Sequence, residues 1–317
     1  MFLFRGRKLE FKHKPVMLNE CIEGLDIKNN GIYVDGTLGG AGHSSRIVKK
    51  LSDKGLLIGI DRDEEALSAA KEKLKEYSNV KYIHGNHDDI ENLLKQNGIN
   101  EVDGILLDLG VSSYQLDEKS RGFSYMAEAD LDMRMDKSQS LTAKDVVNTY
   151  SPDELIKILA DYGEERFAKN IVNNIVKERQ LKEIETTTEL VNIIKKSIPL
   201  SKQKDGHPAK RTFQAIRIEV NDEIKPLENT INQCINILKS HGRLCVITFH
   251  SLEDRIVKKV FQEAEGICTC PSDLPYCVCG CEKKGKIINK KPITASKEEL
   301  EDNSRSKSAK LRIFEKA

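Results

Sequence analysis

Short, mostly apolar runs alternate along the chain with stretches in which apolar positions recur every three or four residues. The runs at 32–34 (Ile-Tyr-Val), 56–60, 80–83, 102–109 and 242–249 have the length and β-branched content of strands buried on both faces. Residues 44–51 and 64–77 between them read as helices, the second carrying Leu67, Ala70 and Leu74 on one face. A further helix begins near residue 87 with Ile90, Leu93 and Leu94, and another spans 252–262. Strands alternating with helices predict an α/β fold, doubly wound around a mostly parallel sheet.

About 130 residues separate the fourth and fifth of these runs, too many for one crossover helix. Ser151-Pro-Asp-Glu154 is a helix start with proline at the first position. Leu155, Ile158, Leu159 and Tyr162 follow at helical spacing. Thr186-x-x-Glu189 is a capping box before Leu190, Ile193 and Ile194. The chain is therefore expected to divide into a first part of the core (1–116), an inserted helical subdomain for substrate recognition (117–210), and a second part of the core (211–317) with a Cys-rich loop and a basic tail.

Polar residues mark the C-terminal ends of the first four strands: Asp35, Asp61, His87 and Asp108. Ligands of parallel sheets sit beyond those ends. After the first strand come Gly36, Gly39, Gly40 and Gly42, then a helix, which is the arrangement of a nucleotide-type cofactor site. Glycine permits φ > 0 and close backbone approach, and a helix start presents free N–H groups. Asp61 stands nineteen residues after Gly42, where a carboxylate can accept hydrogen bonds from both ribose hydroxyls. Nicotinamide and S-adenosylmethionine enzymes share this pattern. The loop is not a regular G-x-G-x-x-G, since Ala41 interrupts it. The acidic Asp35 disfavours a pyrophosphate and suits the cationic methionine portion of S-adenosylmethionine.

Composition narrows the picture further. At 38% apolar and 32% charged residues the chain reads as a soluble globular protein, and no apolar run approaches a membrane span. A cytoplasmic location is expected. Net charge is only +1, so nucleic-acid affinity must come from local patches. Residues 195–217 carry seven Lys/Arg against one acid, and residues 282–317 eleven against six. These two segments suggest a polyanionic partner. Five of the eight cysteines, Cys268, Cys270, Cys277, Cys279 and Cys281, form C-x-C-x6-C-x-C-x-C. Such dense thiolates suggest zinc, but the usual C-x2-C spacing is absent and a Cys-rich loop without metal is the alternative. Cys21, Cys234 and Cys245 read as core residues.

Seven runs give a specific likeness: Asp35-Gly-Thr-Leu-Gly-Gly-Ala-Gly-His43, Asp108-Leu-Gly-Val-Ser-Ser113, Arg121-Gly-Phe-Ser, Leu131-Asp-Met-Arg-Met-Asp136, Arg211-Thr-Phe-Gln-Ala-Ile-Arg217, Phe249-His-Ser-Leu-Glu-Asp-Arg255 and Asn303-Ser-Arg-Ser-Lys-Ser-Ala-Lys-Leu-Arg312. From about residue 10 onward the chain resembles the RsmH (MraW) family of S-adenosylmethionine-dependent methyltransferases. Members act on the exocyclic N4 amine of a cytidine in the decoding region of bacterial small-subunit ribosomal RNA. The resemblance implies a seven-stranded, Rossmann-like methyltransferase sheet with a helical insertion. It implies S-adenosylmethionine as cofactor and small-subunit RNA, in the assembled subunit, as partner.

By position, Gly40, Ala41, Gly42 and His43 would approach the methionine end. Asp61 would hold the ribose, His87 would border the adenosine, and Asp108 and Gln115 would lie between cofactor and substrate. Many relatives carry glycine at position 41 and an aromatic such as phenylalanine at 87. Asp108 is the candidate acceptor near the reacting amine, with Ser112 and Ser113 orienting the base. No proline pair or adjacent aromatic follows Asp108, unlike the Asp/Asn-Pro-Pro-Tyr of many amine methyltransferases. Arg134, Lys210 and Arg211 are candidate RNA phosphate contacts, and Phe123 and Tyr125 candidate stacking residues. A DNA amine methyltransferase, a non-catalytic ribosome-assembly factor and a nicotinamide-dependent oxidoreductase are the alternatives.

Overall fold

The computed structural model describes residues 15–204, 206–267 and 282–317, together with Cys270, Leu274 and Tyr276. The predicted parallel strands are β1 (Ile32–Asp35), β2 (Leu56–Asp61), β3 (Val80–His84), β4 (Val102–Asp108) and β5 (Leu238–Thr248). Three further strands come from the C-terminal segment: β6 (Gly285–Ile287), β7 (Ile293–Thr294) and β8 (Lys310–Lys316). The sheet order is β3-β2-β1-β4-β5-β8-β6, with β7 also on β8. Both short strands share the edge of β8 that faces away from β5, one on Phe314 to Lys316 and the other on Lys310 and Leu311. Eight strands therefore fill seven positions, and β8 runs antiparallel to β5.

The registers Asp35↔Leu106, Asp61↔His84 and Asp108↔Ile247 bring the acidic strand ends to one edge of the sheet. Helices α1 (Leu18–Gly24), α2 (Ser44–Val48) and α3 (Glu64–Lys73) bear on one side of it, and α4 (Ile90–Gln96) on the other. Each side has its own apolar cluster, because β-strand side chains alternate between faces: Leu106, Cys245 and Ile247 belong to one, Ile105, Leu107 and Val246 to the other. The thiols of Cys21, Cys234 and Cys245 are fully buried, and burial pushes that of Cys245 up to about 12.

The last strand, β8, is buried rather than part of a solvated basic tail. Phe314 is fully buried and packs on Phe261 at 5.3 Å between ring centres. Lys310 Nζ and Arg312 Nε donate to the two oxygens of Asp254 at 2.9 and 2.7 Å. Lys286 and Arg243 meet Glu315 at 2.9 and 3.0 Å. Asp254 thus neutralises Lys310 and Arg312, two of the basic residues that the sequence offered to a polyanion.

Residues between β4 and β5 build a second apolar core. After α5 (Ser113–Asp117), it is formed by α6 (Ala143–Thr149), α7 (Pro152–Asp161), α8 (Ala168–Leu181), α9 (Thr187–Ser197) and α10 (Lys210–Asn221). The expected helix starts are present. Ser151 and Thr186 accept from the backbone N–H groups of Glu154 and Glu189, whose carboxylates return the bond. This core does not stop at residue 210, since Phe213, Ile216 and Val220 of α10 fill it. The chain re-enters the sheet through α11 (Leu227–Ile237) and leaves β5 through α12 (Ser251–Ala264). A last helix, α13 (Lys297–Asp302), precedes β8.

One buried arginine joins the two cores. Arg121, 2% exposed, donates through Nη1 to Asp63 and Glu65 at the start of α3, each at 3.0 Å. Through Nη2 it donates to the carbonyls of Arg134 and Met135, also at 3.0 Å. Asn221 adds a second tie. Its Oδ1 accepts from Met135 N at 2.8 Å, its Nδ2 donates to Met133 O at 2.8 Å, and its carbonyl accepts from Arg62 at 3.1 Å.

Candidate active site

The loop between β1 and α2 is shaped from below by Leu38, which occupies the space a side chain on Gly59 would need (2.7 Å). Its backbone is tied to β2: Leu38 N donates to Ile60 O at 3.0 Å and Gly39 N to Asp61 Oδ2 at 2.7 Å. Gly39 and Ala41 both have positive φ, 48° and 53°. Ala41 is fully buried there, a conformation that costs a residue with a Cβ about 1–2 kcal/mol. Gly42 is required by proximity, since a Cβ would lie 2.4 Å from Pro15 Cγ. Gly40 is exposed, with open space on its Cβ side, so the loop presents bare backbone outward at this point.

The four acidic or basic strand ends have different tasks. Asp35 is 1% exposed and held from inside, by Ser44 Oγ at 2.7 Å and Thr37 N at 3.3 Å; burial pushes its carboxyl up to about 6. It fastens the start of α2 to β1. Asp61 accepts from Gly39 N and, through Oδ1, from Asp63 N at 2.9 Å. Burial raises it to about 6 as well. Each of its oxygens keeps a second lone pair for a hydroxyl. His87 lies in a turn before α4, and burial together with Arg62 pushes it down to about 3, so its ring is neutral. Beside it Asn86 Nδ2 donates to Asp88 Oδ2 at 2.8 Å, while Asn86 Oδ1 is buried with no hydrogen-bond partner.

Asp108 is the most exceptional group. Its Oδ1 is buried without a partner, and its Oδ2 lies 3.7 Å from His43 Nδ1. Burial pushes the carboxyl up to about 6, with His43 acting in the opposite sense and Asp35 and Glu253 adding to the rise. His43 occupies the N-cap position of α2 but makes no side-chain cap. Its Nε2 is 2.9 Å from Val16 O, so that nitrogen carries the proton and Nδ1 faces Asp108. A buried acceptor without a donor is costly unless a ligand supplies one. Asn86 Oδ1 and Asp108 Oδ1 are two such acceptors. Thr37, Arg62, Asn86, His87 and Gly110 line a cleft that opens to solvent.

Ser112 and Gln115 shape the loop after β4. Ser112 Oγ accepts from Gln115 N at 3.2 Å and Gln115 Oε1 accepts from Ser112 N at 3.1 Å. Gln115 Nε2 donates to Asp63 at 3.0 Å. Gln115 is 4% exposed, so it is a buried tie rather than an open lining group. Ser113 begins α5.

The expected RNA contacts separate into two groups. Arg134 is engaged inside its own loop: Nε and Nη2 grip Asp132 at 2.8 Å each, and Nη1 donates to the carbonyls of Lys137 and Gln139. It holds that loop and is not a free phosphate ligand. Lys210 and Arg211 are exposed at the start of α10, Arg211 donating to Glu164 O at 3.2 Å. Phe123 is a core residue of the helical insertion. Tyr125 is stacked on His207 at 4.5 Å and meets the edge of Phe213. Of the Cys-rich segment, Cys268, Cys277, Cys279 and Cys281 lie outside the described residues, and the zinc question with them.

Reasoning on the sequence passed over Asn86, although it lies at an expected strand end between Gly85 and His87. It also passed over Glu253, 2% exposed, which accepts from Phe249 N at 2.7 Å and lies 3.0 Å from His250 Nε2. His250-x-x-Glu253 before a helical stripe is a capping pattern that could have marked it. The Arg121–Asp63 pair had no such local sign.

The chain matches a model described as the MraW methylase family over residues 10–317. It is 59% identical over 308 residues to a ribosomal RNA small subunit methyltransferase H from Clostridium botulinum (strain Kyoto / Type A2), covering 97% of this chain and 100% of the relative. Relatives of the same name from Lachnospira eligens and Clostridioides difficile (strain 630) are each 58% identical, over 313 and 310 residues. They cover 98% and 97% of this chain, and 99% and 100% of their own lengths. The glycine loop, the acidic strand ends and this near-complete match lead to one conclusion: the chain belongs to the MraW methylase family.

Proposed function

We propose that the protein transfers a methyl group from S-adenosylmethionine to the exocyclic N4 amine of a cytidine in the decoding region of small-subunit ribosomal RNA, acting on the assembled subunit. The observation that carries this reading is the buried, unpartnered Asp108 Oδ1 beside the glycine loop. This oxygen needs a donor, and both an amine substrate and the cofactor's ammonium supply N–H groups. The relatives named ribosomal RNA small subunit methyltransferase H support the choice of RNA.

The donor set fits the cofactor. The backbone of Gly40 to His43 would meet the methionine end and Asp61 the ribose. The neutral His87 and the open acceptor of Asn86 suit the adenine ring and its amine. When bound, S-adenosylmethionine supplies an electrophilic methyl carbon on a sulfonium. The chain's own residues supply position and polarity. A cytosine amine is a poor nucleophile because its lone pair is delocalised into the ring. Holding it in line can contribute several kcal/mol. Asp108, ionised above about pH 6, accepts one N–H and stabilises the positive charge that develops on nitrogen. Ser112 and Gln115 fix the loop that carries this contact, and Lys210 and Arg211 meet phosphate on the helical side. Among the described residues no helix is long and apolar enough to cross a membrane.

The test is methyl transfer from labelled cofactor to unmodified small subunits, to the naked RNA and to DNA. Label in small subunits above the other two is expected. Equal labelling of DNA, or none in any substrate while the cofactor binds, would overturn the reading.

A further inference from the structure

We propose that Phe249 is the face on which the target cytosine stacks, taking the place of the aromatic that the loop after β4 lacks. This rests on the cytidine reading above and names a residue that completes its substrate pocket. Strand pairing makes the substitution possible. Asp108 is opposite Ile247, and Leu109 N donates to Ile247 O at 3.0 Å, so β5 runs level with the end of β4. Phe249 lies two residues beyond Ile247. It stands one residue past the end of β5, and its packing shows which face it takes. Phe249 packs against the same cluster as Cys245 and Ile247, which is also the cluster of Leu38 and Ala41 in the glycine loop.

The ring is half-buried and reachable. Gly110, two residues after Asp108, has φ 92°, and a Cβ there would lie 3.7 Å from Phe249 Cδ2 and 4.0 Å from Arg217 Nη2. The loop therefore puts no side chain at the point where it passes the ring. Phe249 is also fixed in place, its N–H donating at 2.7 Å to the buried Glu253. The charges around it select a neutral base with N–H donors over a phosphate. Arg217 is neutralised by Glu223, with both of its bonds at 2.8 Å, while Asp108 and Glu253 add negative charge. An aromatic face beside an unpartnered carboxylate oxygen holds a cytosine by its plane and its amine by an N–H.

The test compares Phe249→Leu and Phe249→Tyr with wild-type enzyme on unmodified small subunits, alongside the Kd for S-adenosylhomocysteine and thermal unfolding. Stacking of one base predicts a loss of kcat/KM of about 5- to 150-fold in Phe249→Leu, with near wild-type activity in Phe249→Tyr. The Kd for S-adenosylhomocysteine should stay within about twofold in both, because the ring meets the base and not the cofactor. Unchanged kcat/KM in Phe249→Leu overturns the stacking role. So does a parallel loss of S-adenosylhomocysteine binding or folding, or a failure of Phe249→Tyr to restore activity. Wild-type enzyme that leaves the N4 position of cytidine unlabelled overturns the underlying reading, and that result is visible before any variant is compared.

Discussion

Replacing Asp108 by asparagine should stabilise the cofactor-free protein while it disables transfer. Burial holds this carboxyl at about 6 against an ordinary 3.8. Between those values the folded chain keeps a proton that the unfolded chain releases, so stability falls as pH rises and the full cost is present above about 6. A rise of about two units corresponds to at most about 3 kcal/mol. Asparagine carries no charge to desolvate, and its amide can donate towards His43 Nδ1, which lies 3.7 Å from Oδ2. Urea unfolding at about pH 7 should therefore show Asp108→Asn more stable than wild type by about 1–3 kcal/mol, and the difference should shrink near pH 4, where folded Asp108 is already protonated. Asp35 and Asp61 titrate with the same sign in both proteins, so the difference between the two isolates position 108 and its coupling to Asp35. A variant no more stable than wild type at neutral pH, or a gain independent of pH, would refute the argument that Asp108 is held at a cost for its ligand.

Three other outcomes follow from contacts already described. Arg121→Ala should cost about 3–5 kcal/mol in urea unfolding, because it strands the 5%-exposed Asp63 carboxylate and two carbonyls; a cost under about 1 kcal/mol would show that Arg121 does not join the cores. Ala41→Gly should leave stability within about 1 kcal/mol of wild type, because relief of a left-handed residue is offset by the entropy of glycine and the lost burial of one methyl, and a loss of more than about 1.5 kcal/mol would contradict the strain at this position. Lys210→Ala and Arg211→Ala should each lower the salt slope of RNA binding by about one unit, whereas Arg134→Ala should leave the slope unchanged and weaken folding instead.

The parts of this fold that are set locally were legible in the chain. Residues 56–61 are unbroken apolar up to one carboxylate and form β2 with those bounds. Ser151 and Thr186 announce their helices by capping boxes. What depends on distant partners was not legible. β8 carries Lys310, Arg312 and Lys316 among its apolar residues and reads as a basic tail until Asp254 of α12 is seen beside Lys310 and Arg312. Arg134 looked free, although its partner Asp132 was only two residues away. At the site, the glycine loop, Asp61 and Asp108 stood out because strand ends and glycines mark them. Asn86 and Phe249 did not. The openness of the Asn86 acceptor and the nearness of Phe249 to Gly110 follow from strand register and burial, which no local pattern encodes.

The most direct measurement of the central claim is nucleoside analysis of small subunits after reaction with labelled S-adenosylmethionine, for wild type and for Asp108→Asn, with cofactor affinity determined for both. Wild type should place label in N4-methylcytidine. The variant should fall by about 100-fold or more, the magnitude of losing one preorganised polar contact to the developing charge. Label in another nucleoside, or full activity in Asp108→Asn, would contradict that claim.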